Sequence, residues 1–106
     1  MITQTIRVTA GHIRRGKPEE CSKCPVALAI LDGFPEVTEV IVNQEWATVK
    51  RGEADPFLDA EMPLAAREFI SAFDQPSLWI GPSPVKPFEF EVTWLTVEEQ
   101  EEMGIL

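Results

Sequence analysis

The sequence is poor in the residues that usually carry chemistry. Its 106 residues include one histidine and two cysteines. It contains no Walker loop, no Gly-x-Gly-x-x-Gly fingerprint and no internal repeat. The lone His12 has no partner triad visible in the sequence, and Ser22 sits in no nucleophile elbow, so Ser-His-Asp catalysis finds no support. Carboxylates are plentiful but carry no distinguishing spacing; Glu98, Glu99, Glu101 and Glu102 read as a solvated helix face. No apolar run approaches the ~18 residues of a membrane span. The stretch from Met1 to Arg7 lacks the basic-then-apolar build of a signal peptide. These absences predict a soluble, cytoplasmic protein that is not an enzyme and does not enter a membrane.

What is present begins with charge. Nine basic and 18 acidic residues give a net charge of −9. The two signs are segregated. Residues 1–24 hold five basic residues against two acidic ones, +3, and residues 25–106 hold four against sixteen, −12. An acidic body lacks the basic footprint that DNA or RNA binding requires. The basic segment can still hold one small anion.

The hydropathy pattern predicts a single α+β domain over residues 1–106. About four mostly antiparallel strands would carry helices packed on one face. Residues 2–8 alternate as a half-buried strand. Thr9 caps a short helix to about Arg15, with Gly16 as a left-handed exit and Pro18 as a stop. Pro25 opens a buried helix over Val26–Leu31, ending near Gly33. Val37–Asn43, apolar on both faces, reads as a central strand joined by a tight hairpin to Trp46–Lys50. Residues 52–61 read as acidic loop. An amphipathic helix follows from Pro63 to about Phe73. Residues 75–87 form an irregular Pro-rich loop, and 88–95 a cleanly alternating strand. Thr96 and Glu99 have capping-box spacing for a C-terminal segment, 97–106, made of a short acidic helix to about Met103, ended by Gly104, and an Ile105-Leu106 tail that could fray or plug a partner.

Three groups of residues are candidate sites. Cys21-x-x-Cys24 precedes a helix start, where free N–H groups favour a thiolate. With His12, the two cysteines offer three zinc ligands where a structural site wants four. The deaminase pairing of H-x-E with P-C-x-x-C fails, because Ile13-Arg14 follow His12 and Glu20 precedes Cys21. The third group is an anion site. Arg14, Arg15 and Lys17 lie upstream of the Cys-x-x-Cys loop and Lys23 lies inside it, next to a helix start that can bind phosphate. Trp46 and Trp79 are candidates to stack on a base, whereas Trp94 lies on the apolar face of its strand.

The stretch Val8-Thr9-x-x-His12-Ile13-x-x-Gly16, followed by Cys21-x-x-Cys24-Pro25-Val26-Ala27-Leu28-Ala29-Ile30, resembles a group of short uncharacterised proteins encoded by phages and in bacterial genomes. The Leu64–Phe73 helix, ending Phe69-Ile70-x-x-Phe73-Asp74, and the Pro87-Phe88-x-Phe90 strand are similar to that group as well. The similarity spans residues 5–95 in outline, and its most specific part is the Cys-x-x-Cys-Pro helix. No active site comes with it. Small phage proteins of this size include anti-defence sponges, which sequester the nucleotide second messengers of bacterial immune systems. The resemblance therefore implies a non-catalytic, homo-oligomeric sponge acting in the host cytoplasm, with no cofactor. Arg14, Arg15, Lys17 and Lys23 would hold phosphates and Trp46, Trp79 or His12 would contact the rest of the ligand. The alternatives are an acidic inhibitor or adaptor that docks on a protein through Glu98–Glu102 and the Pro-rich loop, and a zinc or thiol-redox protein built on Cys21 and Cys24.

Overall fold

The computed structural model describes residues 1–53 and 55–104. The Ile105-Leu106 tail lies outside the described residues. The chain forms an α+β domain whose core is one contiguous apolar cluster drawn from every strand and from the two longer helices. In chain order the elements are β1 (Ile2–Val8), α1 (Ala10–Arg15), α2 (Pro25–Gly33), β2 (Glu39–Val42), β3 (Trp46–Lys50), β4 (Leu58–Glu61), α3 (Leu64–Asp74), a 3-10 turn (Pro76–Leu78), β5 (Phe88–Trp94) and α4 (Val97–Glu102).

The strands form two antiparallel sheets, β1-β5 and β2-β3-β4. Among the described residues one bridge joins them: Asp59 and Leu95 exchange N–H···O bonds of 2.9 and 2.8 Å. In the β1–β5 ladder Val8 faces Phe88, Ile6 faces Phe90 and Ile2 faces Trp94. The alternate positions pair Arg7 with Glu89 and Thr3 with Thr93 on the solvent side. Gln4 falls in the inward row between Ile2 and Ile6. It is satisfied there because its Oε1 accepts from the indole N–H of the fully buried Trp94 at 3.1 Å, as a buried indole requires.

Helices α2 and α3 supply the apolar cover. Val26, Ala27 and Ile30 of α2 and Ala66, Phe69 and Ile70 of α3 are buried in the core. Phe69, stacked on Phe88 at 5.0 Å between ring centroids, joins α3 to β5. Such pairs contribute about 0.5–1.5 kcal/mol beyond their area burial. Helix α4 docks instead at the sheet junction. Its buried Gln100 donates to Asp59 Oδ2 at 2.9 Å and to the Leu95 carbonyl at 3.4 Å.

Four expectations need correction. The segment read as acidic loop contains a fifth strand, β4, which alternates Leu58 and Ala60 inward with Asp59 and Glu61 outward. Its four residues are too few for periodicity to register, and pairing with β3 makes it a strand. β2 is an edge strand, not a central one, and is shorter than Val37–Asn43. Its Val40 and Val42 are buried while Ile41 is 57% exposed. The Pro-rich segment carries a 3-10 turn at its start. Gly16 is not left-handed: its φ is −69°. A Cβ at Gly16 would lie 2.5 Å from the Pro25 ring, so close approach of two chain segments excludes a side chain there.

Candidate functional site

The site grows from the first turn of α1. Thr9 is the N-cap, with its Oγ1 accepting from the His12 N–H, and His12 completes a capping box from the third helical position. The Thr9 backbone N–H donates to His12 Nδ1 at 3.0 Å. A ring nitrogen that receives a backbone N–H carries no proton, so the proton of neutral His12 sits on Nε2. That nitrogen lies 2.5 Å from Asp32 Oδ2. The buried imidazole thus ties α1 to the last turn of α2, and the Arg15 guanidinium approaches the same carboxylate at 3.9 Å.

Beside this pair the loop after α1 folds back on itself. The Lys17 N–H donates to the Lys23 carbonyl at 2.9 Å, and the Lys23 N–H donates to the Glu20 carbonyl at 3.1 Å. Glu19 takes a positive φ of 61° within this loop, and its N–H donates to Asp74 Oδ1 at 3.0 Å, which fastens the loop to the end of α3. The outcome is a depression of about 340 Å³ lined by Arg15, Lys17, Lys23, Leu28, Leu31 and Asp32. Three cations and one carboxylate surround an apolar floor, inside a chain whose net charge is −9.

Of the sequence-expected anion ligands, the structure brings together Arg15, Lys17 and Lys23. Arg14 is exposed and does not line the depression. His12 contributes through Asp32. Neither tryptophan takes part. Trp46 is half-buried on the outward row of β3 and lines a different groove. Trp79 sits in the Pro-rich segment, its indole N–H donating to the Pro82 carbonyl at 3.0 Å. The residues that sequence reasoning missed are Leu28, Leu31 and Asp32. Asp32 had only the signature of a turn, because nothing local marks a carboxylate that meets a histidine twenty positions earlier.

The start of α2 does not serve as a phosphate cradle. Pro25 has no N–H, Val26 and Ala27 are fully buried, and the Ala27 N–H is taken by Cys24 Sγ at 3.4 Å. Cys24 is the helix N-cap, with its thiol in the place a serine hydroxyl would occupy. Burial pushes this thiol above its ordinary pKa and outweighs the backbone N–H bonds that pull it down. The expected lowering by the helix start is overturned by desolvation. Cys21 is exposed, and both thiols are free.

The zinc set Cys21, Cys24 and His12 is not assembled. Both His12 nitrogens are committed to Thr9 and Asp32. The cysteines line a separate cleft of about 250 Å³ together with Glu19, Glu20 and Asp74, a cleft His12 does not line. Among the described residues, no group of three or more His, Cys, Asp and Glu side chains is placed to hold a metal ion. Among the described residues, no helix is long and apolar enough to cross a membrane. No family model, curated protein or solved structure matches the chain.

Proposed function

We propose that this protein is a non-catalytic binding module that sequesters a small phosphate-bearing ligand of the nucleotide class. The observation that carries the reading is the convergence of Arg15, Lys17 and Lys23 on one depression with an apolar floor. In this reading the cations hold phosphate, with the Arg15 fork the best shaped for two oxygens. Leu28 and Leu31 take the place the tryptophans were expected to fill and support the apolar face of the ligand. Asp32, 3.9 Å from the Arg15 guanidinium, offers an acceptor to a ligand hydroxyl. Capture without turnover, holding a signal away from its receptor by mass action, is the role this reading assigns.

The test is calorimetric titration of the intact protein with cyclic ADP-ribose, cyclic dinucleotides and inorganic phosphate, with the nucleotide recovered and weighed by mass spectrometry. Saturable binding of an unaltered nucleotide is expected, weakened at least about tenfold (1.4 kcal/mol) by Arg15→Ala and by Lys17→Ala. Trp46→Phe should leave it unchanged. Absence of binding across the panel, or binding indifferent to both cation substitutions, would reject the site.

A further inference from the structure

A second concave surface lies on the opposite row of the strands, and its chemistry differs. Among the described residues the Asp59–Leu95 bridge is the one β-bridge between the two sheets. The gap between β4 and β5 opens as a groove of about 710 Å³. Trp46, Met62 and Leu95 line it, with Met103 from the end of α4 and Leu64 from the start of α3. Leu64 is 70% exposed and Met103 55% exposed, large apolar side chains that a monomer leaves in water. Neighbouring apolar exposure of this kind marks interaction sites. The volume is within the range of ligand and peptide pockets, and methionine lets such a surface adapt to its occupant.

Charge identifies the occupant. The groove has two cations, and both are neutralised internally. The Arg67 guanidinium donates to Glu61 Oε1 and to the Met62 carbonyl, each at 2.7 Å. The Met1 ammonium is paired with Glu99. Glu91, on the β5 wall, has no hydrogen-bond or ion-pair partner among the described residues. Glu98, Glu101 and Glu102 lie exposed on α4, next to Met103. Among the lining residues the charge left without a partner is therefore the Glu91 carboxylate. A second copy that met this groove with its own groove would set Glu91 against Glu91. An anionic ligand would meet the same repulsion.

We infer that this groove docks a short apolar segment of a partner protein that carries Lys or Arg beside its apolar anchors. The anchors enter between Trp46 and Met103, and a cation meets Glu91. The site is independent of the basic depression: one surface takes a small anion, the other a cationic peptide.

Fluorescence anisotropy of a labelled amphipathic Leu/Lys peptide, titrated with the intact protein, tests the inference. Its Leu/Glu counterpart is the control. Saturable binding of the Leu/Lys peptide alone is expected. Leu64→Asp and Met103→Asp should each weaken it about tenfold or more, as should Glu91→Lys. Leu64 and Met103 are exposed, so their substitution leaves the core untouched. Lys23→Ala should have no effect. Equal affinity in wild type and Leu64→Asp would mean bulk charge attraction only and would overturn the proposal, as would no binding. Self-association of the wild type that Leu64→Asp abolishes, without peptide binding, would give the groove to a second copy and overturn it equally.

Discussion

His12 Nε2 lies 2.5 Å from Asp32 Oδ2, while Nδ1 of the same ring receives the Thr9 N–H. One buried side chain therefore caps α1 and clamps it to α2. His12→Ala removes the capping-box partner and the clamp and leaves a space in a site that is only 4% exposed. A loss of about 2 kcal/mol is expected in urea unfolding. Asp32→Asn keeps an acceptor and should cost less. Equal stability of wild type and His12→Ala would show that the clamp is not formed.

Gly16 and Gly11 should respond to alanine in opposite directions. Gly11 lies inside α1, and a Cβ there meets only ordinary contacts of 3.5 and 3.8 Å. Gly11→Ala should therefore stabilise the fold by about 0.5–1 kcal/mol. At Gly16 the added Cβ collides with the Pro25 ring. Overpacking there should cost about 1–3 kcal/mol. Thermal unfolding separates the two, since 1 kcal/mol moves the midpoint by about 4–8 °C in a domain of this size.

The two thiols should differ sharply in reactivity. Cys21 is exposed, and Cys24 is buried with its pKa raised by desolvation. At mildly alkaline pH iodoacetamide should alkylate Cys21 first, and Cys24 only as the chain opens; in urea the rates should converge. The raised value also sets a sign. The unfolded chain releases the Cys24 proton before the folded one does. Stability is therefore full below the ordinary thiol range and falls as pH rises through it. Cys24→Ser should flatten that fall. Simultaneous alkylation of both thiols in native buffer would contradict the buried N-cap.

Gln100 holds α4 against the sheet junction. Gln100→Ala leaves Asp59 Oδ2 without its side-chain amide donor, while the Leu95 carbonyl keeps the Asp59 N–H, and should cost about 1–3 kcal/mol. The loss should fall first on α4. Limited proteolysis of the variant should cut beyond Leu95 before the core opens, and hydrogen exchange should rise in α4 ahead of β5. Uniform protection across the chain would place the docking energy elsewhere.

Short-range chemistry was legible in the chain. Thr9 and Thr96 cap α1 and α4 where their sequences place them, and Pro25 stands at the first position of α2. The stripes of α3 and the alternation of β1 and β5 appear as read. Each depends on contacts among residues two to four apart, or on a periodicity long enough to count.

Partnership was decided only in three dimensions. β4 exists because Leu58–Glu61 meets β3 and Leu95, and Ile41 faces water because it points to the sheet face opposite the buried Val40 and Val42. The thiol of Cys24 stays protonated because the core closes over the start of α2, an outcome opposite to what the helix start alone favours. The cations at Arg15, Lys17 and Lys23 meet because the loop carrying two of them folds back over α2, while Trp46 and Trp79 end elsewhere. Local sequence sets backbone preference and caps, which act over a few residues. Burial, strand order and the meeting of charges depend on the whole packed chain, because they arise only when segments far apart in sequence exclude the same water.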